Sequence, residues 1–216
     1  GYQGSVKAVM REVKHNVLKG IHAPVSQIIS VKDKYALAVE TALGAAIQNI
    51  ITETENDAKK AINFLKESKA GRATFLPLTS VKGNLLQEKG LDDCYGYINL
   101  ASELVECDSK YKSVIVSLLG RTVVSEDLDT AVEIAKKYSY KFKVVTLDGQ
   151  VINPGGSLTG GSLVKNSGLL SRASDIKSML SEIEKLNIKA SELSTSLQAA
   201  NEAVALVEAD ITAARA

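Results

Sequence analysis

Apolar residues near the C-terminal end of the chain recur at alternating spacings of four and three: Met179, Ile183, Leu186, Ala190, Leu193, Leu197, Ala200, Val204, Val207, Ile211 and Ala214. No Gly or Pro interrupts the sequence from Asp175 onward. This is an unbroken a/d seam of about five heptads, the pattern of a coiled coil. A helix of that length reaches roughly 60 Å, too far to fold back over a domain of this size, so the seam needs a partner helix. The N-terminus carries a shorter version in Tyr2, Val6, Val9, Val13 and Val17. That pattern is already in mid-heptad at residue 1, as expected for the end of a longer coiled coil. Together the two series predict a globular domain inserted between two coiled-coil arms.

Between the arms, from about Ile21 to Leu163, the hydrophobic period switches repeatedly between helix and strand. Lys34 to Ile47 places Ala36, Val39, Leu43 and Ile47 on one helical face. Asn49 to Thr52 reads as a short strand, and Glu55 to Glu67 as a helix with Ala58, Ala61, Ile62 and Leu65 inward. Gly71 closes that helix, and Arg72 to Leu76 returns as a strand before Pro77. The same order recurs with Thr122 to Val124 (strand), Glu126 to Lys137 (helix, with Leu128, Ala131, Val132 and Ala135 inward) and Phe142 to Leu147 (strand). Asp148-Gly149 is a hairpin signal leading into Gln150 to Ile152. A strand–helix–strand unit thus occurs twice, which predicts two similar subdomains meeting in the polar, glycine-punctuated stretch from Lys82 to Tyr97.

Composition narrows the class further. The 216 residues are 45% hydrophobic and 24% charged, enough apolar material for a core and too much for a disordered chain. No run of 18 apolar residues exists to span a membrane. Cys94 and Cys107 are the only cysteines. With no signal-peptide pattern at the N-terminus, they favour a reducing cytoplasm. A formal net charge of +1 argues against a strongly basic nucleic-acid arm but leaves local patches open.

Candidate chemistry is sparse. The stretch Gly155 to Ser162 (GGSLTGGS) mimics a phosphate loop, with Gly155, Gly160 and Ser162 in register, but Gly161 stands where the required Lys should be. Two readings remain for these glycines: a flexible turn, or a backbone placed for close approach by another chain. His15 and His22 are the only histidines, and neither cysteine has a CxxC neighbour, so no zinc site is expected. No nucleophile motif accompanies the carboxylates, and Asp92, Asp93, Glu103 and Glu106 read as solvated surface. Two basic clusters stand out. Lys136, Lys137, Lys141 and Lys143 interleave with Tyr138, Tyr140 and Phe142, a composition that suits a nucleic acid through charge and stacking; the alternative is that the lysines serve a helix C-terminus and Phe142 belongs to a core strand. Lys7, Arg11, Lys14 and Lys19 would converge with Lys165 and Arg172 if the arms run together, giving a phosphate-binding surface.

The segments GIHAPVSQII from Gly20, YALAVETALGAAIQNIITETENDAKKAINFLKE from Tyr35, GRATFLPL from Gly71 and DGQVINPGGSLTGGS from Asp148 resemble the hinge domain of structural maintenance of chromosomes (SMC) proteins. The likeness is strongest to the bacterial, homodimeric chromosome-partition type, and it covers essentially the whole chain. It implies a mixed α/β globule of two similar subdomains between antiparallel coiled-coil arms. The expected divisions are an N-terminal arm stub over residues 1–18, subdomains over 19–90 and 91–168, and a C-terminal arm over 169–216. The resemblance further implies a two-fold hinge homodimer with Gly155, Gly156, Gly160 and Gly161 at its interface. Weak, salt-dependent DNA contact is expected near the arm junction, at Lys14, Lys165 and Arg172, with Lys137 and Lys141 as the second surface. No cofactor or catalysis is expected of the hinge itself. ATP, Mg and kleisin-type subunits would belong to head domains at the far ends of the arms, and the location implied is cytoplasmic and nucleoid-associated. The alternative is an α/β small-molecule or nucleotide-binding enzyme with a coiled-coil oligomerisation tail.

Overall fold

The computed structural model describes residues 1–162 and 168–215, leaving aside the side chains of 171–175, 177 and 178. It forms two units, Gly1–Arg172 and Ala173–Ala216.

The first unit opens with α1, Gly4–Lys14. The apolar positions Val6 and Val9 are buried against Leu18, Ile21, Ile50, Ala61 and Leu65, so the domain itself covers this part of the N-terminal series. Val17, at the end of the series, lies beyond the helix and is exposed. Next come β1 (Ile21–Pro24), the short helix α2 (Val25–Ile28), β2 (Ile29–Val31) and α3 (Asp33–Leu43). Gly44, at φ +51°, ends α3 and starts a single 3-10 turn.

The first strand–helix–strand unit is β3 (Ile50–Thr52), α4 (Glu55–Glu67) and β4 (Phe75–Pro77), with the two strands parallel. Thr54 caps α4 reciprocally: its Oγ1 accepts from the Asp57 N–H at 3.2 Å and donates to Asp57 Oδ2 at 2.7 Å. Ala58, Ala61 and Leu65 face inward as expected, whereas Ile62 is 49% exposed on the flank of that stripe. The return strand starts later than the sequence suggested, because Lys69 and Gly71 take positive φ and the chain reaches its partner β3 only at Phe75. Pro77 is tolerated because β4 is an edge strand.

After β5 (Tyr97–Leu100), β6 (Val105–Cys107) and α5 (Lys112–Leu119), the unit repeats as β7 (Thr122–Ser125), α6 (Leu128–Lys137) and β8 (Lys143–Thr146), again parallel. Asp127 and Thr130 form a capping box at the start of α6. Leu128, expected inward, is its first residue and is 40% exposed. The Asp148-Gly149 turn then leads into antiparallel β9 (Val151–Ile152), and β10 (Leu158–Thr159) pairs with β9.

The described residues form three sheets, ordered β1-β3-β4, β10-β9-β8-β7-β5 and β2-β6. The two repeated units share one large core. Val25, Val39, Leu43 and Ile51 from the first half pack in one cluster with Val114, Ile115, Leu119, Val124 and Val145 from the second. The last helix, α7 (Leu169–Arg215), supplies Leu170 to that core and then forms the second unit. Its first turn is held by Glu40 of α3, whose Oε1 accepts the Leu169 N–H at 2.7 Å and whose Oε2 accepts the Leu170 N–H at 3.3 Å. From Met179 onward every described residue of α7 is exposed, the heptad positions included.

Candidate functional site at the glycine-rich sheet edge

The glycine segment lies at one end of the five-stranded sheet, where β10 has, among the described residues, a single neighbour, β9. The backbone of a strand with one neighbour is open to pairing along its other side. Leu158 stands on it with 58% of its surface exposed, an apolar side chain that the domain's own core does not use.

Local geometry accounts for most of the glycines. Asn153-Pro154-Gly155-Gly156 is a tight turn closed by the Gly156 N–H donating to Asn153 O at 2.9 Å. Pro at its second position and Gly155 at φ +85° in its third are what a type II turn requires. Gly156 follows at φ +94° with the Tyr140 ring 3.5 Å from where its Cβ would stand. Tyr140 itself sits at φ +55°, uncommon for a bulky residue, and its carbonyl accepts the Gly155 N–H at 2.9 Å. Gly161 has φ +136° and empty space around the position of a Cβ. Gly160 has ordinary φ, but a Cβ there would strike Gln150 Oε1 at 2.1 Å. So three of the four glycines hold positive φ, and a Cβ at the fourth would displace the Gln150 amide.

The phosphate-loop likeness also ends here. The Gly161 N–H donates to Gln150 Oε1 at 2.8 Å, so that amide is committed within the chain.

The basic residues divide differently from expectation. Lys7, Arg11, Lys14 and Lys19 are exposed on and after α1, with Arg11 pairing to Glu12 at 3.2 Å. Lys165 lies outside the described residues, and so does the side chain of Arg172. Around α6 the stacking surface suggested by the sequence does not form. Tyr138 and Phe142 are buried in the second core, ring centroids 5.5 Å apart, because the chain must turn from α6 into β8 there and both rings fill the space beneath. The lysines beside them are engaged. Lys137 Nζ donates to Gly90 O and to Cys94 Sγ, both at 3.2 Å, and the bond to the sulfur holds its ammonium above the usual lysine range. Lys141 pairs with Glu88 at 3.9 Å, Lys136 with Glu133 at 3.6 Å, and Lys143 Nζ reaches Ala42 O at 3.4 Å.

His15 lies exposed just after α1, while His22 is held between Tyr111 Oη at 2.9 Å and Glu53 Oε2 at 2.7 Å. Among the described residues no group of His, Cys, Asp or Glu is placed to hold a metal ion, and no helix is long and apolar enough to cross a membrane. The sequence places Tyr140 in a basic cluster and Gln150 in a strand, and their roles at the glycine turn escape it. A left-handed Tyr and an amide reaching eleven residues along the chain leave no local pattern.

Comparison with known proteins gives the family. Residues 18–135 match the family model of the SMC proteins flexible hinge domain. The chain is 43% identical over 190 residues to the chromosome partition protein Smc of Bacillus subtilis (strain 168), covering 85% of this chain and 16% of that protein. It is 44% identical over 191 residues to the protein of the same name from Halothermothrix orenii, covering 86% and 16%. The chain therefore spans about one sixth of the length of these relatives. Among solved structures it resembles an asymmetric dimer of the Geobacillus stearothermophilus SMC hinge domain, with TM-score 0.81 and 38% identity over 92% of this chain and 80% of that one. The Pyrococcus furiosus SMC hinge domain aligns with TM-score 0.60 and 29% identity, over 76% and 93%.

Proposed function

The chain belongs to the SMC hinge family, and from that membership we propose that it is the homodimerisation hinge of a chromosome-partition SMC protein, joining two coiled-coil arms. The observation that carries this reading is the β10 edge, a strand with one neighbour among the described residues, which bears an exposed Leu158 beside the glycine turn. A second copy related by a two-fold axis can pair with such an edge and cover its apolar side chain. One of the related solved hinges is itself described as a dimer. The expected result is a dimer by sedimentation at micromolar concentration, and a monomer with unchanged circular dichroism for Leu158→Lys. A wild-type chain that sediments as a monomer sinks the proposal.

In this reading the arms connect the hinge to distant ATP-hydrolysing heads. Nucleotide, Mg and kleisin-type subunits act there, and the hinge performs no catalysis. The assembly works on the chromosome in the cytoplasm. The exposed Lys7, Arg11, Lys14 and Lys19, together with Lys165 and Arg172, give the hinge a secondary, weak DNA surface. The engaged lysines Lys137 and Lys141 rank below it. Phosphate contacts release counterions, so affinity should fall steeply with salt. Charge reversal at Lys14 and Lys165 together should weaken binding to all sequences alike, read by fluorescence anisotropy at low salt. Unchanged affinity in that variant places the DNA surface elsewhere.

A further inference from the structure

The geometry points to Gln150 as the positioning residue of the glycine turn: its side-chain amide takes the place of a strand neighbour and fixes Gly160-Gly161 in the shape that a second copy must meet. The inference rests on the dimerisation reading above and assigns the residue on which that surface depends. Gln150 Oε1 accepts the Gly161 N–H at 2.8 Å, and Gln150 Nε2 donates to the Gly161 carbonyl at 3.2 Å. One amide thus satisfies both backbone groups of one residue, the pairing that a β-ladder provides. The amide is itself oriented. Its Nε2 also donates to Asp148 Oδ2 at 3.3 Å, and the Gln150 backbone N–H donates to Thr146 Oγ1 at 2.8 Å. The Thr146 hydroxyl in turn bonds the other oxygen of Asp148. With Oε1 and Nε2 both occupied, the amide has one orientation that satisfies every partner.

A separate observation agrees. The space that a Cβ at Gly160 would need is the space Gln150 Oε1 occupies, 2.1 Å away. A side chain at Gly160 would displace that amide from its two bonds to Gly161, so the two positions are coupled. Tyr140 holds the other end of the turn through its carbonyl, which accepts the Gly155 N–H, so the segment between them, β10 with Leu158, is fastened at both ends.

The test uses the full chain and two readouts. At a dilution where the chain is monomeric, Gln150→Ala should speed hydrogen exchange of the Gly161 amide about tenfold while the amides of Val144 and Val145 stay unchanged. At higher concentration it should weaken the dimer about tenfold by sedimentation. Gly160→Ala should weaken the dimer by a similar factor, and in the Gln150→Ala background it should add nothing, because the amide it displaces is already gone. Gln150→Leu keeps the bulk and loses both bonds, so it should match the alanine variant, and it supplies the same exchange measurement if that variant fails to fold. Unchanged Gly161 exchange in these variants overturns the inference, as do additive effects of the Gln150 and Gly160 substitutions. A wild-type monomer would overturn the dimer reading, and the exchange measurement would still decide the role of Gln150.

Discussion

Glycines in this chain do several different jobs, and a single residue decides which. Gly83 sits in the stretch that sequence reading assigns to a boundary between subdomains. A Cβ there would lie 2.1 Å from the backbone nitrogen of Ser117 in α5, a contact that no rotamer change relieves. Gly83→Ala must push two backbone segments apart, so we expect a loss of about 2–4 kcal/mol, seen as a lower urea midpoint. Gly161→Ala meets no atom and pays only for its left-handed φ, about 1 kcal/mol. Equal midpoints for the two variants would refute the close approach at Gly83. The contrast also marks the limit of sequence reading at this scale. The composition of 82–97 signals a loop correctly, but the packing of Gly83 on α5 is a long-range contact that leaves no trace in neighbouring residues. Gly155 is more legible, because Pro154 before it is itself part of the turn chemistry.

Elements are more legible than residues wherever their ends carry their own chemistry. Helix α4 begins where the pattern predicts because Thr54 and Asp57 cap it locally. It ends at Glu67 because Lys69, not the expected Gly71, makes the first turn to positive φ. The start of α7 is less readable, since its cap, Glu40, comes from 129 residues earlier. The local caps have a consequence for acid stability. The Thr54 hydroxyl bonded to Asp57 holds that carboxyl below its ordinary value of 3.8, and the Thr130 backbone N–H does the same for Asp127. A carboxyl whose pKa is lower in the folded chain than in the unfolded one adds stability above its unfolded pKa, and that stability disappears as pH falls through the folded pKa. The wild type should therefore lose stability progressively below about pH 4. Asp57→Asn and Asp127→Asn should each flatten that dependence and leave the slope near neutrality unchanged. Chemical denaturation at pH 3, 5 and 7 reads this, and an unaltered acid slope in both variants would refute it.

At the scale of the whole molecule, the repeated unit is visible as a sequence order, and its parallel strand pairs show why. A strand, a helix and a second strand in a short stretch can pair in parallel only through the helix crossover. The shared core is not visible, because periodicity within each segment says nothing about which segments meet. The N-terminal helix is a case of this kind. Its apolar residues suggest an arm, yet Val6 and Val9 are buried with Ile50, Ala61 and Leu65. Tyr2 Oη bonds Ser26 Oγ at 2.6 Å, and Ser5 Oγ donates to Arg72 O at 2.7 Å. A chain starting at residue 16 would uncover that cluster. Two buried valines alone contribute about 1.5–3 kcal/mol each, a large part of the roughly 5–15 kcal/mol typical of a domain. Trimming the other end is different: the described residues from Met179 onward are exposed, and the proposed dimer surface at β10 lies in the first unit. We therefore expect a chain of residues 1–172 to fold and to dimerise as the full chain does by light scattering, with dissociation constants within about tenfold of each other. A chain of residues 16–172 should melt at a markedly lower temperature or fail to fold. If the 1–172 chain folds but remains monomeric where the full chain is dimeric, association belongs to the exposed seam of α7 and not to the glycine-rich edge.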